Sequence, residues 1–140
     1  MNAQKIKKII NVVLKVVLCL LIVTPILGAF GIFPQPTRDL YNTDIAFEFI
    51  NILMQIKYIN YIISIVFLLA ILLIITKRTA LAILLILPIS VNIIAFHAFL
   101  DGGLFTPGAI MGNILFLINI YFLWQNRELY SILFKTSKNK

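Results

Sequence analysis

The chain has 140 residues, of which 61% are hydrophobic and 12% charged, with a net charge of +7. A soluble domain carries about twice that share of charge, and one core of this size cannot hide so much apolar surface, so the excess is expected to face lipid. The positive balance excludes a nucleic-acid reading, because the basic residues stand at the ends of apolar runs and not in a patch with surface aromatics.

Lys5, Lys7 and Lys8 open the chain in the manner of a signal peptide. The apolar run that follows, Val12 to Phe33, is too long for a signal core of about 7–15 residues, and no small-x-small cleavage site follows it. It reads as a retained first span, matching the ~20 residues needed to cross hydrocarbon. Lys15 lies one turn in and can snorkel to the headgroups. Pro25, Gly28 and Gly31 predict a kink or a loosened outer end. Cys19 sits within this run as the only cysteine, so no internal disulfide or dithiol pair is available.

The stretch PQPTRDLYNTD, Pro34 to Asp44, reads as a loop in water or headgroups. From Asp44 to Ile56 the polar residues Asp44, Glu48, Asn51 and Gln55 fall on one helical stripe, and the remainder is apolar. This piece is too short and too polar to span and reads as an interfacial or partly re-entrant helix. The second span is expected at 58–76, stopped by Lys77 and Arg78. The third is expected at 79–100, carrying Pro88, Asn92 and His97. A short turn, DGGLFTPG, leads into a fourth at 107–125, which closes in Tyr121, Trp124 and Gln125, an interfacial belt. The tail, 126–140, is basic and expected to be partly helical as far as Phe134.

The fold class is therefore an all-α membrane protein. It is a single four-transmembrane-helix bundle over residues 1–140, with an extra amphipathic or re-entrant helix between spans one and two. Ten of the twelve Lys and Arg residues then share one side: Lys5, Lys7, Lys8, Lys15, Lys77, Arg78, Arg127, Lys135, Lys138 and Lys140. Arg38 and Lys57 lie on the other, with four of the five acids, Asp39, Asp44, Glu48 and Asp101. The positive-inside rule puts both termini in the cytoplasm, and an odd number of spans would scramble this segregation.

Ionisable groups inside a membrane segment suggest a functional site by default. His97 is the only histidine, and Asp101 lies one turn on, sharing its face. The pair could relay protons or bind the carbonyl of a quinone-like ligand; alternatively, His97 only locks the bundle. Asn92 and Pro88 form a second pair, turned about 140° from His97. Glu48 and Asn51 would approach His97 if the 44–56 helix covered the outer mouth; otherwise their stripe faces water. One His with scattered acids lacks metal-ligand spacing, so no metal is expected. Gly108 and Gly112 form a GxxxG that allows close helix approach, and Asn113 and Asn119 can donate interhelical hydrogen bonds. Gly108, Gly112 and Asn113 thus offer a face for a membrane partner or a second copy. No phosphate loop, Ser–His–Asp set or CxxC is present, which removes hydrolase, kinase and thiol-oxidoreductase readings.

The segment LAILLILPISVNIIAFHAFLDGG, Leu81 to Gly103, sets a proline, an asparagine four residues on, and then FHxFL. It resembles the DoxX-like family of small four-helix bacterial membrane proteins. The ending IYFLWQNRELYSILF, Ile120 to Phe134, and a first span closing in Gly, Phe and a P-x-P turn (Pro34, Pro36) are similar to that family too. The resemblance covers most of the chain in layout and is specific over Pro88 to Asp101, where Pro88, Asn92, Phe96 and His97 match the pattern. It implies a bacterial inner-membrane protein, related to a subunit of a thiosulfate:quinone oxidoreductase and to components of membrane redox complexes. Two features of many relatives are absent: a Lys after the first span, where Ile32 and Phe33 stand, and a Glu and a Gly in the second, which reads SIVFLLAI.

Three functions follow as expectations. The first is a non-catalytic or accessory subunit of a membrane assembly, with no cofactor of its own. The second is a quinone- or lipophile-binding component of a redox system using His97, with Asp101 beside it and Glu48 as a lid. The third is a small transporter, ranked last because the inner halves of the spans are almost wholly apolar.

Overall fold

The computed structural model describes residues 2–131, whose regular structure is all helical, with no strand among them. The helices are α1 (Ala3–Ala29), α2 (Asp44–Ile56), α3 (Tyr58–Ile75), α4 (Thr79–Phe99), α5 (Ala109–Gln125) and α6 (Arg127–Ser131), with a 3-10 turn at Arg38–Leu40. The expected helical stretch up to Phe134, and Lys135, Lys138 and Lys140, lie partly or wholly outside the described residues.

α1 differs most from expectation, beginning at Ala3 rather than Val12 and closing at Ala29 rather than Phe33. Its start is set by Asn2, whose side chain accepts from the Gln4 amide, followed by residues of high helix propensity. Its end is a Schellman closure: the Gly31 amide bonds Gly28 O and the Ile32 amide bonds Leu27 O. Gly31 takes the left-handed conformation this closure needs, with φ +74°. The same device ends α3, with Lys77 at φ 62° and the Arg78 amide on Leu73 O at 2.7 Å. Both prolines are accommodated within continuous helices, Pro25 in α1 and Pro88 in α4.

α1, α3, α4 and α5 run up, down, up and down, α4 packing most extensively on α3 and α5, and α1 lying against α3 and α5. Each contributes one narrow stripe to a shared core: Leu18, Ile22 and Ile26; Phe67, Ala70 and Ile74; Ala82, Ile83 and Ile86; Leu115, Ile118 and Phe122. Spacings of three and four residues turn these side chains to one face per helix. Outside that core the apolar residues are exposed, among them Val16 and Leu20 on α1, Ile65 and Leu72 on α3, Val91 on α4 and Leu117 on α5. A belt of this extent is what a bilayer covers. α1, α3 and α4, of 27, 18 and 21 residues, are long and apolar enough to cross a membrane; α5, apolar and of 17 residues, is shorter.

The close approach of α4 and α5 depends on Gly112. A Cβ there would stand 2.6 Å from Cγ2 of Ile93, a methyl on a stiff β-branched side chain. The small-residue stripe is thus turned partly inward: Gly112 is buried against α4, and Asn113 donates to Leu104 O within the chain at 2.6 Å. Gly112 thus meets α4 and Asn113 meets the α4–α5 turn within the same chain. Asn119, buried between α5 and α4, donates to Ser90 Oγ at 3.4 Å, while Ser90 in turn bonds Leu87 O at 2.9 Å.

Gly112→Ala should overpack the α4–α5 seam and destabilise the bundle by about 1–3 kcal/mol. Ile93→Ala in the same chain should recover most of that loss, which thermal or denaturant unfolding in detergent would measure as a double-mutant cycle.

Candidate functional site

The end of the bundle where α4 turns into α5 is organised by a carboxylate. Asp101, just past the end of α4, is 1% exposed. One oxygen, Oδ1, accepts the Asn42 backbone amide at 2.8 Å and lies 3.4 Å from the Asn42 side-chain nitrogen. The other, Oδ2, lies 3.0 Å from Nδ1 of His97. The Asn42 side chain also donates to the Asp101 carbonyl at 3.1 Å. Next in the chain, the Thr43 hydroxyl donates to the Leu100 carbonyl, and Thr43 caps α2 by accepting the Ala46 amide at 3.1 Å. A buried carboxylate needs partners of this kind to remain charged in a dry setting.

The local chain has the residues that such an arrangement requires. Gly102, at φ +81°, turns away from the helix end; a Cβ there would stand 3.1 Å from Asn42 Cβ, so glycine serves both the turn and the contact. The Gly103 amide bonds His97 O at 2.8 Å and closes α4. Phe96 stacks edge-on to His97, and Phe49 and Tyr41 pack on Phe96. Tyr41 is half-buried here, and burial followed by the nearby Asp101 charge pushes its phenol above the ordinary value.

His97, 9% exposed, lines a cavity of about 390 Å³ between α1, α4 and α5, with Nε2 toward Gly112 on the same wall. Leu21, Thr24 and Pro25 of α1 form one wall; Gly108, Met111, Gly112 and Leu115 form the opposite one. The walls are mainly apolar. Nε2 makes no hydrogen bond among the described residues, and Gly108 and Gly112 keep the ring uncovered. Pro25 has no N–H to offer the Leu21 carbonyl, so one cavity-wall residue also has an acceptor without its helical donor.

The other sequence-expected site residues lie elsewhere. Asn92 is exposed on the outer face of α4 beside Val91 and Pro88, as its angular offset from His97 requires. Glu48 and Asn51 are exposed with Asp44 and Gln55, because α2 docks through Ala46, Phe47, Ile50 and Leu53 on its other side. Glu48 is therefore not a lid over His97; the stripe is the solvent-accessible face of α2. Asn42 and Thr43 were not singled out from the sequence. Thr43 has the signature of an N-cap before an apolar helix, but nothing local reports that Asn42 meets a carboxylate 59 residues away.

Asp101→Ala should leave the Asn42 amide and Nδ1 of His97 without their acceptor, at a cost of about 1–3 kcal/mol for each buried donor. Asn42→Ala, which keeps its backbone amide, should cost clearly less; unfolding of both variants in detergent measures the difference.

Comparison with family models, with curated protein sequences and with solved structures gives no match to this chain.

Proposed function

We propose that this chain is a four-pass inner-membrane protein of the DoxX-like kind. In this reading it is an accessory component that holds a lipophilic hydroxyl compound, such as a quinol, against His97. The observation that carries the reading is the unpartnered Nε2 of His97, a residue lining an apolar cavity, with Nδ1 engaged by a buried carboxylate. When Nδ1–H donates to Asp101, the neutral ring presents the Nε2 lone pair, which accepts an O–H. A quinol hydroxyl meets that requirement. A quinone carbonyl, itself an acceptor, does so only when Nε2 carries a proton. Oxidation of the bound compound belongs to a partner in this reading, and the chain supplies binding and a proton acceptor.

Four spans fit the alternation of the helices, with α5 crossing as the shortest and α2 lying at the outer interface or dipping into it. Charge supports the orientation. Lys15, Lys77 and Arg78 gather at one end of the bundle, whereas Arg38 meets Asp44 at the other. By the positive-inside rule the first end is cytoplasmic, and both termini with it. The bacterial inner membrane follows from the family resemblance.

In detergent micelles, the protein should bind decylubiquinol in preference to decylubiquinone. His97→Ala should abolish binding while the unfolding midpoint stays close to that of the parent; equal binding by that variant would make His97 purely structural. Asp101→Asn should reverse the preference, because its amide N–H donates to Nδ1 and moves the ring proton to Nε2. The 15N shifts of the imidazole report that tautomer directly. Single cysteines placed at position 3 and beyond the end of α6 should both be shielded from impermeant maleimide in intact cells; labelling of one end alone would overturn the four-span reading.

A further inference from the structure

The opposite end of the bundle holds a second cavity, of about 400 Å³, between the start of α4, α1, the end of α5 and α6. Lys15, Lys77 and Arg78 line it, together with Thr79 and Gln125. Among the described residues the ion pairs are Arg38–Asp44 and His97–Asp101, so these three cations have no carboxylate partner there. Lys15 lies within the apolar part of α1, with Nζ 6.0 Å from the centre of the Phe122 ring, a weak partner for an ammonium at the membrane boundary. The Thr79 hydroxyl is buried and makes no hydrogen bond among the described residues. The backbone amides of Thr79 and Ala80, the first of the 21-residue α4, likewise have no acceptor among the described residues. Cations, a buried hydroxyl and the positive end of a long helix dipole therefore converge on one pocket.

We propose that this pocket binds the phosphodiester of an anionic phospholipid from the cytoplasmic leaflet. A phosphodiester has two non-bridging oxygens that share one negative charge. It can take charge-assisted bonds from Lys15, Lys77 and Arg78 while accepting from the Thr79 hydroxyl and the α4 amides. The cavity opens beside Leu81 and Leu129, both exposed, apolar surface on which acyl chains can lie. This inference rests on the membrane reading and not on the His97 cavity, which lies at the other end.

The test is binding of phosphatidylglycerol, phosphatidylcholine and inorganic phosphate to the full chain in dodecyl maltoside, read by native mass spectrometry and by the unfolding midpoint. Phosphatidylglycerol should be retained and should raise the midpoint, and phosphatidylcholine should do neither. The triple change Lys15→Gln, Lys77→Gln, Arg78→Gln should weaken retention on the order of 100-fold, from the attraction each juxtamembrane cation contributes. Lys5→Gln, Lys7→Gln, Lys8→Gln removes the same charge away from the pocket and should change retention by only about twofold, because exposed charges beyond a Debye length are screened. Thr79→Val should leave the midpoint in lipid-free detergent unchanged, since its hydroxyl has no partner among the described residues, but should reduce the rise produced by phosphatidylglycerol; this variant decides the matter if the triple one fails to fold. Equal retention of phosphatidylcholine, an equal loss in the Lys5/Lys7/Lys8 variant, or the full midpoint rise with inorganic phosphate alone would each overturn the proposal, the last by assigning the pocket to a free anion.

Discussion

One acid at the end of α4 holds the half of the molecule around the α4–α5 turn together. Asp101 receives the Asn42 amide on one oxygen and faces His97 on the other, so the long connection from α1 to α2 is tied to the α4–α5 turn. A carboxylate buried to this degree is stable only while both sets of donors remain. Their removal would free the start of α2, the close of α4 and the orientation of the imidazole together. The glycines at 102 and 112 complete the arrangement by leaving space where side chains would press on Asn42 or Ile93.

The same bond that stabilises the loop also sets the chemistry of His97. An imidazole whose Nδ1 is committed to a carboxylate presents a defined second nitrogen, and here the residue lines an apolar cavity. Structural anchoring and ligand handling were alternatives for His97 when only the sequence was considered. In the folded chain they are compatible, since one ring edge serves each. Glu48 and Asn51 are absent from this site because α2 needs its apolar flank to dock, which leaves its polar stripe outward.

The two ends of the bundle contrast in how their charges are met. At the end near the α4–α5 turn Arg38 meets Asp44 and Asp101 meets His97. At the other end Lys15, Lys77 and Arg78 surround a cavity with no acid on its lining among the described residues. In the proposal above an anionic lipid headgroup balances that site, which would tie the charge bias of the chain to a specific place on its surface.

Much of this protein was legible from its residues in order. Long apolar runs broken by Lys77–Arg78 and by DGGLFTPG specify helices and their bounds, because backbone groups in lipid must be satisfied within a helix and charges must stop at the headgroups. The pairing of His97 with Asp101 also follows from a separation of four residues, since helix geometry alone brings them together. The tertiary structure alone decided that Asn42 completes the carboxylate's partners, that Gly112 packs inward against Ile93, that α1 extends back to Ala3, and that Lys15 joins Lys77 and Arg78 around one pocket. Those contacts join residues far apart in the chain, and in a sequence this uniformly apolar the hydrophobic pattern does not distinguish the face of a helix that meets lipid from the face that meets another helix. That choice rests on shape, on where a glycine admits a methyl group or a buried acid finds its donors, and shape exists only once the helices have packed.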